Sequence, residues 1–484
     1  MEHTDSEDAF LDRLHNFLYQ SEVERFFAQH PNGLTSRDYV PPASWGTWWN
    51  WNPTDHGSSN PSRWELLWQY YSEPQKVDSD QRSLIPGELR SFIDSIRDLQ
   101  LVRTCDFETR PPSTISVCPA SADVRVEEAI HGMSPKKAHE VTRTVEYLKE
   151  VLGRLSASGL HVQHIVDVGA GQAYLSRALR DSLGLHVLAL DWSDIQSDGA
   201  KRREKSKKKV SKGQGSKEPP QTGSLSYETL PINPRSLQEV VQNWVTTFKT
   251  SFQEVEKVPV LFVALHACGS LTLDILRTFL FALKDSSGRR GWRPAGALVV
   301  GCCYNLLDSE DQRSLTGRDI KFLENHLQMA AQAPLQWNRS SDVAKRIKLS
   351  FRKTAWRALL TGIIQERGAT QDCEVVGKRL GRVNDAVYDS WPSFLHVASE
   401  KFGLDLARAE RDQEAEGRIE IFQFFRCVLG PVVESFILLD RKLWLRNELV
   451  STGQGVRLVN LFDQATGSAR NVAIVVAPSS VTLC

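Results

Sequence analysis

The stretch that decides the fold is His164–Asp191, which reads HIVDVGAGQAYLSRALRDSLGLHVLALD. A short apolar segment leads through Gly169-Ala-Gly171 into an amphipathic segment, and a second apolar segment then ends on Asp191. Apolar runs on either side of a glycine turn and a segment with helical spacing predict a strand, a turn, a helix and a strand. This order opens a nucleotide-binding α/β unit with a parallel sheet.

The glycine turn and the acids around it form the predicted cofactor site. Gly169 lets the chain turn tightly off the first strand, and Gly171 lets the backbone approach a ligand. Asp191 lies 20 residues beyond Gly171, where a carboxylate can hold both hydroxyls of a ribose. Asp167 suits a cationic amino group, and Trp192 is suited to cover an adenine. The predicted cofactor-binding residues are Asp167, Gly169, Ala170, Gly171, Asp191 and Trp192.

The spacing of small residues in the turn separates three interpretations. A dinucleotide site has Gly-x-Gly-x-x-Gly, so that a helix N-terminus can carry a pyrophosphate. Here the third position is the bulky Tyr174. S-adenosylmethionine has no phosphate and tolerates a bulky residue there, so the pattern favours a methyltransferase that uses this cofactor. A dehydrogenase and an α/β turn without a ligand are the alternatives.

Two later apolar runs lead into chemically active residues. Val258–His266 is continuous, as is typical of a buried parallel strand, and Gly296–Gly301 is the next such run. Ligands of these sheets bind outside the carboxyl ends of the strands, so the residues that follow each run should converge near the transferable methyl group. They are His266, Cys268, Cys302, Cys303 and Tyr304.

His266 is the candidate proton acceptor, because an imidazole ordinarily titrates near neutral pH. The alternative is a structural histidine that ties two strand ends together. His266 and the three cysteines also suggest zinc, but structural zinc sites usually separate paired cysteines by two to four residues. The adjacent Cys302 and Cys303 fit that spacing poorly, so no metal is predicted. We expect buried cysteines that line the pocket floor.

A helix is predicted over Gly132–Leu155, with Ser134 as its N-cap and Pro135 in its first turn. Lys136 and Lys137 then lie where the helix dipole disfavours positive charge. If this helix packs antiparallel to the first strand, its start lies beside the cofactor. The two lysines are therefore candidate catalytic residues that contact an anionic group or the substrate, and a solvated helix start is the alternative.

The predicted fold class is α/β, with a Rossmann-like class I methyltransferase sheet, an antiparallel C-terminal hairpin strand, an N-terminal helical domain and a large helical insertion. Residues 1–122 form the helical, Trp-rich domain, whose aromatic cluster we expect to be core rather than a base-stacking surface. Residues 123–484 form the methyltransferase domain, with the insertion over 306–455. Two segments of this domain, Val456–Phe462 and Asn471–Val476, should close the sheet as a hairpin.

Bulk composition restricts the partners and the compartment. Lys+Arg and Asp+Glu are both 59, so the chain as a whole is not a basic nucleic-acid binder. Eight cysteines without disulfide-like spacing indicate a reducing compartment. Residues 1–30 are acidic and lack an apolar core, and no uncharged apolar run reaches the length of a membrane span. We expect a cytoplasmic or nuclear protein without a membrane partner.

One segment is strongly basic and poor in apolar residues. Residues 200–224 are expected to form a disordered loop. Its lysines between Lys201 and Lys217 could serve as a nuclear-localisation segment or as a local contact with RNA. The expected partner is a macromolecular methyl acceptor, either RNA or protein.

Five blocks in this order resemble the methyltransferase-like protein 25/25B family, whose members are also described as ribosomal RNA adenine dimethylase domain-containing proteins. They are MSPKKAHE, VDVGAGQAYLSRAL, LHACGSL, VGCCYN and GPVVESFILLDRKLWL. The resemblance covers roughly residues 125–484 and much of the Trp-rich part. It implies a class I S-adenosylmethionine-dependent fold and methyltransferase activity. A catalytically inactive, cofactor-binding scaffold that regulates a partner is the second hypothesis.

Two comparisons with other methyltransferases bear on the acceptor. Adenine-N6 enzymes place Asn/Asp-Pro-Pro-aromatic after the fourth strand, where this chain has His266-Ala-Cys268-Gly269. The chain is also distantly similar to acceptor-stem tRNA 2′-O-methyltransferases, which pair His-x-Cys-Gly with a later Cys-Cys. Those enzymes carry an acid shortly after His-x-Cys-Gly, and the nearest acid in this chain, Asp274, is one position away from the matching place. The identity of the methyl acceptor therefore stays open.

Overall fold

The computed structural model describes residues 2–36, 38–51, 62–105, 133–193, 223–248, 257–286, 290–368 and 373–481. The α-helices are α1 (Glu2–Leu18), α2 (Ser21–Ala28), α3 (Arg63–Ser72), α4 (Ser79–Leu84), α5 (Gly87–Asp98), α6 (Pro135–Ala157), α7 (Tyr174–Leu183), α8 (Pro234–Thr246), α9 (Leu271–Lys284), α10 (Glu324–Met329), α11 (Ser341–Glu366), α12 (Cys373–Leu380), α13 (Trp391–Phe402) and α14 (Gln413–Glu448). The strands are β1 (His164–Val168), β2 (His186–Asp191), β3 (Leu225–Thr229), β4 (Val258–Cys268), β5 (Trp292–Cys302), β6 (Gln454–Asn460) and β7 (Val472–Pro478).

Within the described residues, seven strands form one sheet in the order β3-β2-β1-β4-β5-β7-β6. The strands from β1 to β5 pair in parallel, whereas β7 is antiparallel to both β5 and β6. The predicted α/β fold with an antiparallel C-terminal hairpin is therefore confirmed. The strand order reverses between β1 and β4, and a crevice for a ligand opens at such a point outside the carboxyl ends of the strands.

A single apolar cluster holds α6 and α7 against the sheet. It includes Val141 and Leu148 of α6, Leu179 of α7 and Val263 of β4, all of which are buried. Helix α6 begins at Pro135 as predicted, and the Ser134 hydroxyl accepts a hydrogen bond from an amide in its first turn. These packed faces fix the loops at the carboxyl edge of the sheet, where the candidate site lies.

The chain divides into two compact units. Residues 1–101 and 324–436 form the first, and residues 102–323 and 437–484 form the second. This division differs from the predicted boundary at residue 122 and the insertion over 306–455, because N-terminal helices share a core with much of that insertion. The Phe26 ring centroid, for example, lies 5.0 Å from that of Phe422. Pairings this distant along the chain leave no local sequence pattern.

The N-terminal tryptophans belong to the core of the first unit. Trp45, Trp48 and Trp49 are all buried, and the Trp45 ring stacks on Phe26 with centroids 4.9 Å apart. The Trp64 ring stacks in the same way on another aromatic ring of this unit. The expectation that this cluster is core is confirmed, since buried rings cannot stack on the bases of a nucleic acid.

Gly430-Pro431 lies inside a helix, although a proline ordinarily kinks or ends the helix that contains it. Helix α14 continues through Pro431, whose carbonyl accepts a hydrogen bond from the Ser435 hydroxyl. A Cβ atom on Gly430 would lie 2.1 Å from the Met329 carbonyl oxygen, so the glycine permits close packing there. An interior proline costs about 3 kcal/mol, and burial of the apolar residues on both sides offsets that cost.

Helix α14 is long and apolar enough to cross a membrane by length and composition alone. The mean hydropathy of its most apolar window is 1.6. That window is 94% buried inside the protein, which is the environment of a core helix. The helix is therefore weak evidence for a membrane span.

One predicted segment falls largely on residues that are not described. The basic segment 200–224 is described only at residues 223 and 224, and Lys201–Lys217 lies wholly outside the described residues.

Candidate functional site

The glycine turn lies directly against the end of β2. Gly169 and Gly171 have φ angles of +76° and +54°, a region that glycine adopts without steric cost. The Asp191 carboxylate accepts a hydrogen bond from the Gly171 amide at 2.8 Å and another from the Ser193 amide at 2.9 Å. A carboxylate offers about four acceptor positions, so two positions are left for further donors, and a contact with a ribose stays a prediction.

The two glycines of the turn have different surroundings. A Cβ atom on Gly169 would lie 3.4 Å from the carbonyl oxygen of His266, so this glycine brings β1 close to the end of β4. A Cβ atom on Gly171 would have no heavy atom within 4 Å among the described residues. Gly171 therefore faces open space, as expected of a backbone that a ligand approaches.

Asp167 is buried beneath the turn and is used by the protein itself. The Ser176 hydroxyl donates to its carboxylate at 2.5 Å, and the Ser176 backbone amide donates to it as well. Burial raises the pKa of Asp167 to about 6, although the hydrogen bonds from Ser176 and the charge of Lys137 oppose this rise. Asp167 thus anchors the first turn of α7, and a contact with a cationic amino group stays a prediction.

Two aromatic residues border the turn. The Trp192 side chain is 79% exposed immediately after the end of β2, where it is available to a ligand. Tyr174 is the first residue of α7, and the guanidinium of Arg177 lies over its ring, 5.1 Å from the centroid. The bulky residue at the third position of the turn therefore packs within the start of the helix.

His266 is paired with a carboxylate that the sequence analysis missed. Its Nε2 atom lies 3.2 Å from Oε2 of Glu140 on α6. Burial alone would raise the pKa of Glu140, but hydrogen bonds from His266 and Ser468 outweigh that effect. With the added positive charges of His266 and Lys137, the pKa of Glu140 falls to about 2. The buried Glu140 is an anion that orients the His266 ring.

The lysines at the start of α6 have partners within the protein. The Lys137 ammonium lies 3.5 Å from Oε2 of Glu140, and that of Lys136 lies 3.9 Å from Oε1. These pairs at helical spacing offset the unfavourable position of the two charges in the first turn. The helix start does lie at the carboxyl edge of the sheet, since Glu140 reaches His266. A contact of the lysines with substrate stays a prediction.

The three cysteines converge, although they come from two strands. Their sulfurs lie within 4.8 Å of one another, with Cys268 3.2 Å from Cys302 and 3.6 Å from Cys303. Only Cys302 is buried, while Cys268 is exposed, which corrects the expectation of a buried pocket floor. The hydrogen bond from Cys302 lowers the pKa of the Cys268 thiol to about 6. That same hydrogen bond and burial raise the pKa of Cys302, and burial raises that of Cys303.

Tyr304 is buried immediately after the cysteines that follow β5. It is only 1% exposed, and the guanidiniums of Arg441 and Arg470 lie 5.7 and 6.0 Å from its ring centroid. This burial is typical of a structural residue, whereas a residue that contacts an acceptor needs an exposed face.

A separate cavity of about 420 Å³ lies within the first compact unit. Its lining includes His30, Asn325, Arg357 and Arg426, and none of its lining residues belongs to the glycine turn or to the ends of β4 and β5. The buried Arg426 guanidinium donates there to the carbonyls of Phe26 and Gln29, so it serves the packing of that unit.

Three residues that support the site, Glu140, Ser176 and Ser468, are not among the residues predicted from the sequence. Glu140 could have been found, because it lies three and four residues after the lysines on the same predicted helix face. Ser176 and Ser468 carried no comparable indication, since their roles depend on where α7 and the loop before β7 pack.

A parallel sheet in this strand order, with a glycine turn after β1 and an acid at the end of β2, defines a methyltransferase-type α/β domain. Residues 136–310 match a family described as a methyltransferase domain, so this part of the chain is similar to methyltransferase domains. Two similar relatives are described as probable methyltransferase-like protein 25. The Mus musculus protein is 24% identical, over 70% of this chain and 75% of the relative. The Homo sapiens protein is 22% identical, over 70% and 73%.

These matches confirm the resemblance that the five sequence blocks predict, since the chain is similar over 70% of its length to proteins described as probable methyltransferase-like protein 25. No solved structure matches the chain. The fold and the family agree on the class of protein, and neither identifies the methyl acceptor.

Proposed function

We propose that this protein is an S-adenosylmethionine-dependent methyltransferase that acts on an RNA or protein acceptor in the cytoplasm or nucleus. The observation that carries the proposal is the 2.8 Å hydrogen bond from the Gly171 amide to Asp191. It holds the carboxylate over the turn with acceptor positions left for a ribose. Gly171 would lie under the cofactor, and Trp192 would cover the adenine.

His266 would remove the proton of the acceptor. S-adenosylmethionine, when bound, supplies an electrophilic methyl group with a neutral thioether as its leaving group. Nε2 of His266 is hydrogen-bonded to Glu140, so Nδ1 is the nitrogen that would take the proton. The buried carboxylate would stabilise the imidazolium that results, as in other carboxylate–histidine pairs.

Calorimetric titration with S-adenosylmethionine tests the cofactor site. We expect Asp191→Ala to weaken binding roughly 10- to 100-fold, because hydrogen bonds to a charged group contribute about 1.5–3 kcal/mol. Glu228→Ala is the matched control, because this exposed acid lies on the neighbouring strand β3. Equal affinities for the wild type and Asp191→Ala would refute the assignment of the ribose-binding carboxylate.

The acceptor class and turnover need a second experiment. Extract from cells that lack this protein would be incubated with the purified protein and tritiated cofactor, with and without RNase. Label in RNase-sensitive material supports an RNA acceptor. Lys201–Lys217 would then make a local contact with that RNA. Label that stays in a protein band supports a protein acceptor.

The alternative is a cofactor-binding scaffold that regulates a partner without turnover. It predicts normal calorimetric binding and no transferred label in either fraction. His266→Ala separates the two proposals further, because an active enzyme should lose turnover and keep its cofactor affinity.

A further inference from the structure

The cysteine cluster has a geometry that methyl transfer does not explain. Strands β4 and β5 are in register at their ends, so that Cys268 pairs with Cys302 across the sheet. Cys303 follows with a φ angle of +48°, a conformation uncommon for a residue with a side chain. This turn keeps the Cys303 sulfur with the other two, 3.6 Å from that of Cys268.

The loops that carry the cluster are packed tightly together. The Gly269 amide donates to the Cys302 carbonyl at 3.0 Å. A Cβ atom on Gly269 would lie 2.2 Å from the carbonyl oxygen of Leu306, so only glycine allows this contact. Backbone contacts of this kind hold the three sulfurs in place before any ligand arrives, which is the preorganisation that a binding site requires.

The sulfur separations match those of a metal coordination sphere. Tetrahedral zinc with bonds of about 2.3 Å to sulfur keeps its ligands about 3.8 Å apart. The separations in this structure, 3.2 and 3.6 Å with all three atoms within 4.8 Å, lie close to that value. Cys302 and Cys303 are adjacent in the chain and lack the usual spacing of paired zinc ligands, but strand pairing brings Cys268 to both of them.

The donor set also selects the kind of metal. Thiolates are soft ligands that favour zinc and other soft ions over magnesium or calcium. Among the residues that the structure describes, the cluster has three members and no fourth His, Cys, Asp or Glu donor. Structural zinc sites are closed by four protein ligands, whereas sites with three keep an open position.

We propose that Cys268, Cys302 and Cys303 form a three-thiolate zinc site with its fourth coordination position open to water or to a heteroatom of an incoming molecule. Each thiol releases its proton when it coordinates the ion. The site goes beyond methyl transfer, since it requires neither the cofactor nor an acceptor. Its exposed member, Cys268, gives the ion a path from solvent.

Metal binding by the reduced chain of 484 residues tests the proposal without reference to activity. We expect one zinc per chain by elemental analysis, and a cobalt-substituted protein with the absorption of a tetrahedral cobalt–thiolate site. Cys268→Ser should weaken zinc binding by more than the roughly 10- to 100-fold that loss of an outer-shell partner costs. Cys105→Ala is the matched control, because Cys105 is a buried cysteine outside the cluster, and it should bind zinc like the wild type.

Three results would overturn the proposal. The first is the absence of zinc from protein purified under reducing conditions with zinc supplied. The second is zinc that binds equally well to Cys268→Ser, which would be adventitious. The third is a Cys268–Cys302 disulfide in protein that, once reduced, still fails to bind the ion. Circular dichroism of each variant, and of wild type before and after chelation, separates loss of the site from loss of the fold.

Discussion

The imidazole of His266 and the carboxylate of Glu140 lie 3.2 Å apart, although 126 residues separate them in the chain. The histidine follows the apolar core of β4, and the glutamate lies in the second turn of α6. Their contact fixes the start of that helix at the carboxyl edge of the sheet. A buried carboxylate that holds one nitrogen of a partly exposed histidine is the arrangement expected of an oriented base.

Replacement of Glu140 by Gln should lower turnover and leave the affinity for the cofactor unchanged. The amide keeps the shape of the side chain but cannot stabilise an imidazolium, so we expect a loss of roughly 100-fold in kcat. Glu146→Gln is the control, because this acid lies on the same helix in an exposed pair with Arg143. A parallel loss of cofactor affinity would show that Glu140 acts only on the fold.

The same carboxylate should make stability depend on acidity. The pKa of Glu140 is about 2 in the folded chain, below its ordinary value of 4.5. Its stabilising contribution is therefore complete above about pH 4.5 and is lost as the pH falls toward 2. The free energy of unfolding of wild type, measured in urea, should exceed that of Glu140→Gln by on the order of 2–3 kcal/mol at pH 6. The difference should shrink by pH 3, and a constant difference would contradict the assignment.

The contrast between two glycines can show where the cofactor passes. Gly171 and Gly159 have φ angles of +54° and +87°, and a Cβ atom on either would lie in open space. Because alanine is strained at a positive φ, each Gly→Ala variant should lose about 1–2 kcal/mol of stability. Only Gly171 lies in the turn, where the added methyl group would meet the cofactor. We expect Gly171→Ala to weaken binding of S-adenosylmethionine at least tenfold by calorimetry, and Gly159→Ala to leave it unchanged. Equal affinities of the two variants for S-adenosylmethionine would contradict the proposal that the cofactor binds at the turn.

The sheet and the conformation of the glycine turn could be predicted from sequence because their determinants are local. Continuous apolar runs indicate buried parallel strands, and Gly169, Gly171 and Asp191 stand at spacings that one α/β unit imposes. The division into compact units could not be predicted, because it depends on contacts such as Phe26 with Phe422. Local rules also failed at Pro431, where burial of the surrounding helix outweighs the cost of an interior proline.

The candidate site shows the same limit at the level of single residues. The positions of Cys268, Cys302 and Cys303 relative to the strand ends followed from their order in the chain. The meeting of their sulfurs did not, since it depends on the register of β4 against β5 and on the turn at Cys303. Spacing rules for metal ligands apply to residues that are close in sequence, and they do not describe ligands that strand pairing brings together.

Trp192 should contribute to cofactor binding without contributing to the fold. Its side chain is exposed beside the turn, so its loss removes little apolar contact from the folded chain. A ring that stacks on an adenine contributes about 0.5–1.5 kcal/mol beyond its area. Trp192→Ala should therefore weaken S-adenosylmethionine binding roughly threefold to tenfold by calorimetry, with an unchanged midpoint of thermal unfolding. Val450→Ala, at another exposed apolar residue, is the control for a general surface effect.

The hydrogen bond from Ser176 to Asp167 should matter more as the pH rises. The pKa of Asp167 is about 6 when folded, above its ordinary 3.8, so its ionisation destabilises the fold as the pH climbs between those values. Ser176→Ala removes a donor to the charged form and should raise this pKa further. We expect a loss of about 1–3 kcal/mol in the free energy of unfolding at pH 7.5, because the buried charge then keeps the Ser176 amide but loses its hydroxyl donor.

At pH 5 the same variant should lose less, because Asp167 is then largely protonated in the folded chain. Urea unfolding at the two pH values measures the difference. Ser182→Ala is the matched control, since its hydroxyl lies on the same helix and has no hydrogen-bond partner among the described residues. It should change stability little at either pH. If Ser176→Ala lost the same free energy at pH 5 as at pH 7.5, the charge on Asp167 would have no part in holding α7 against the glycine turn.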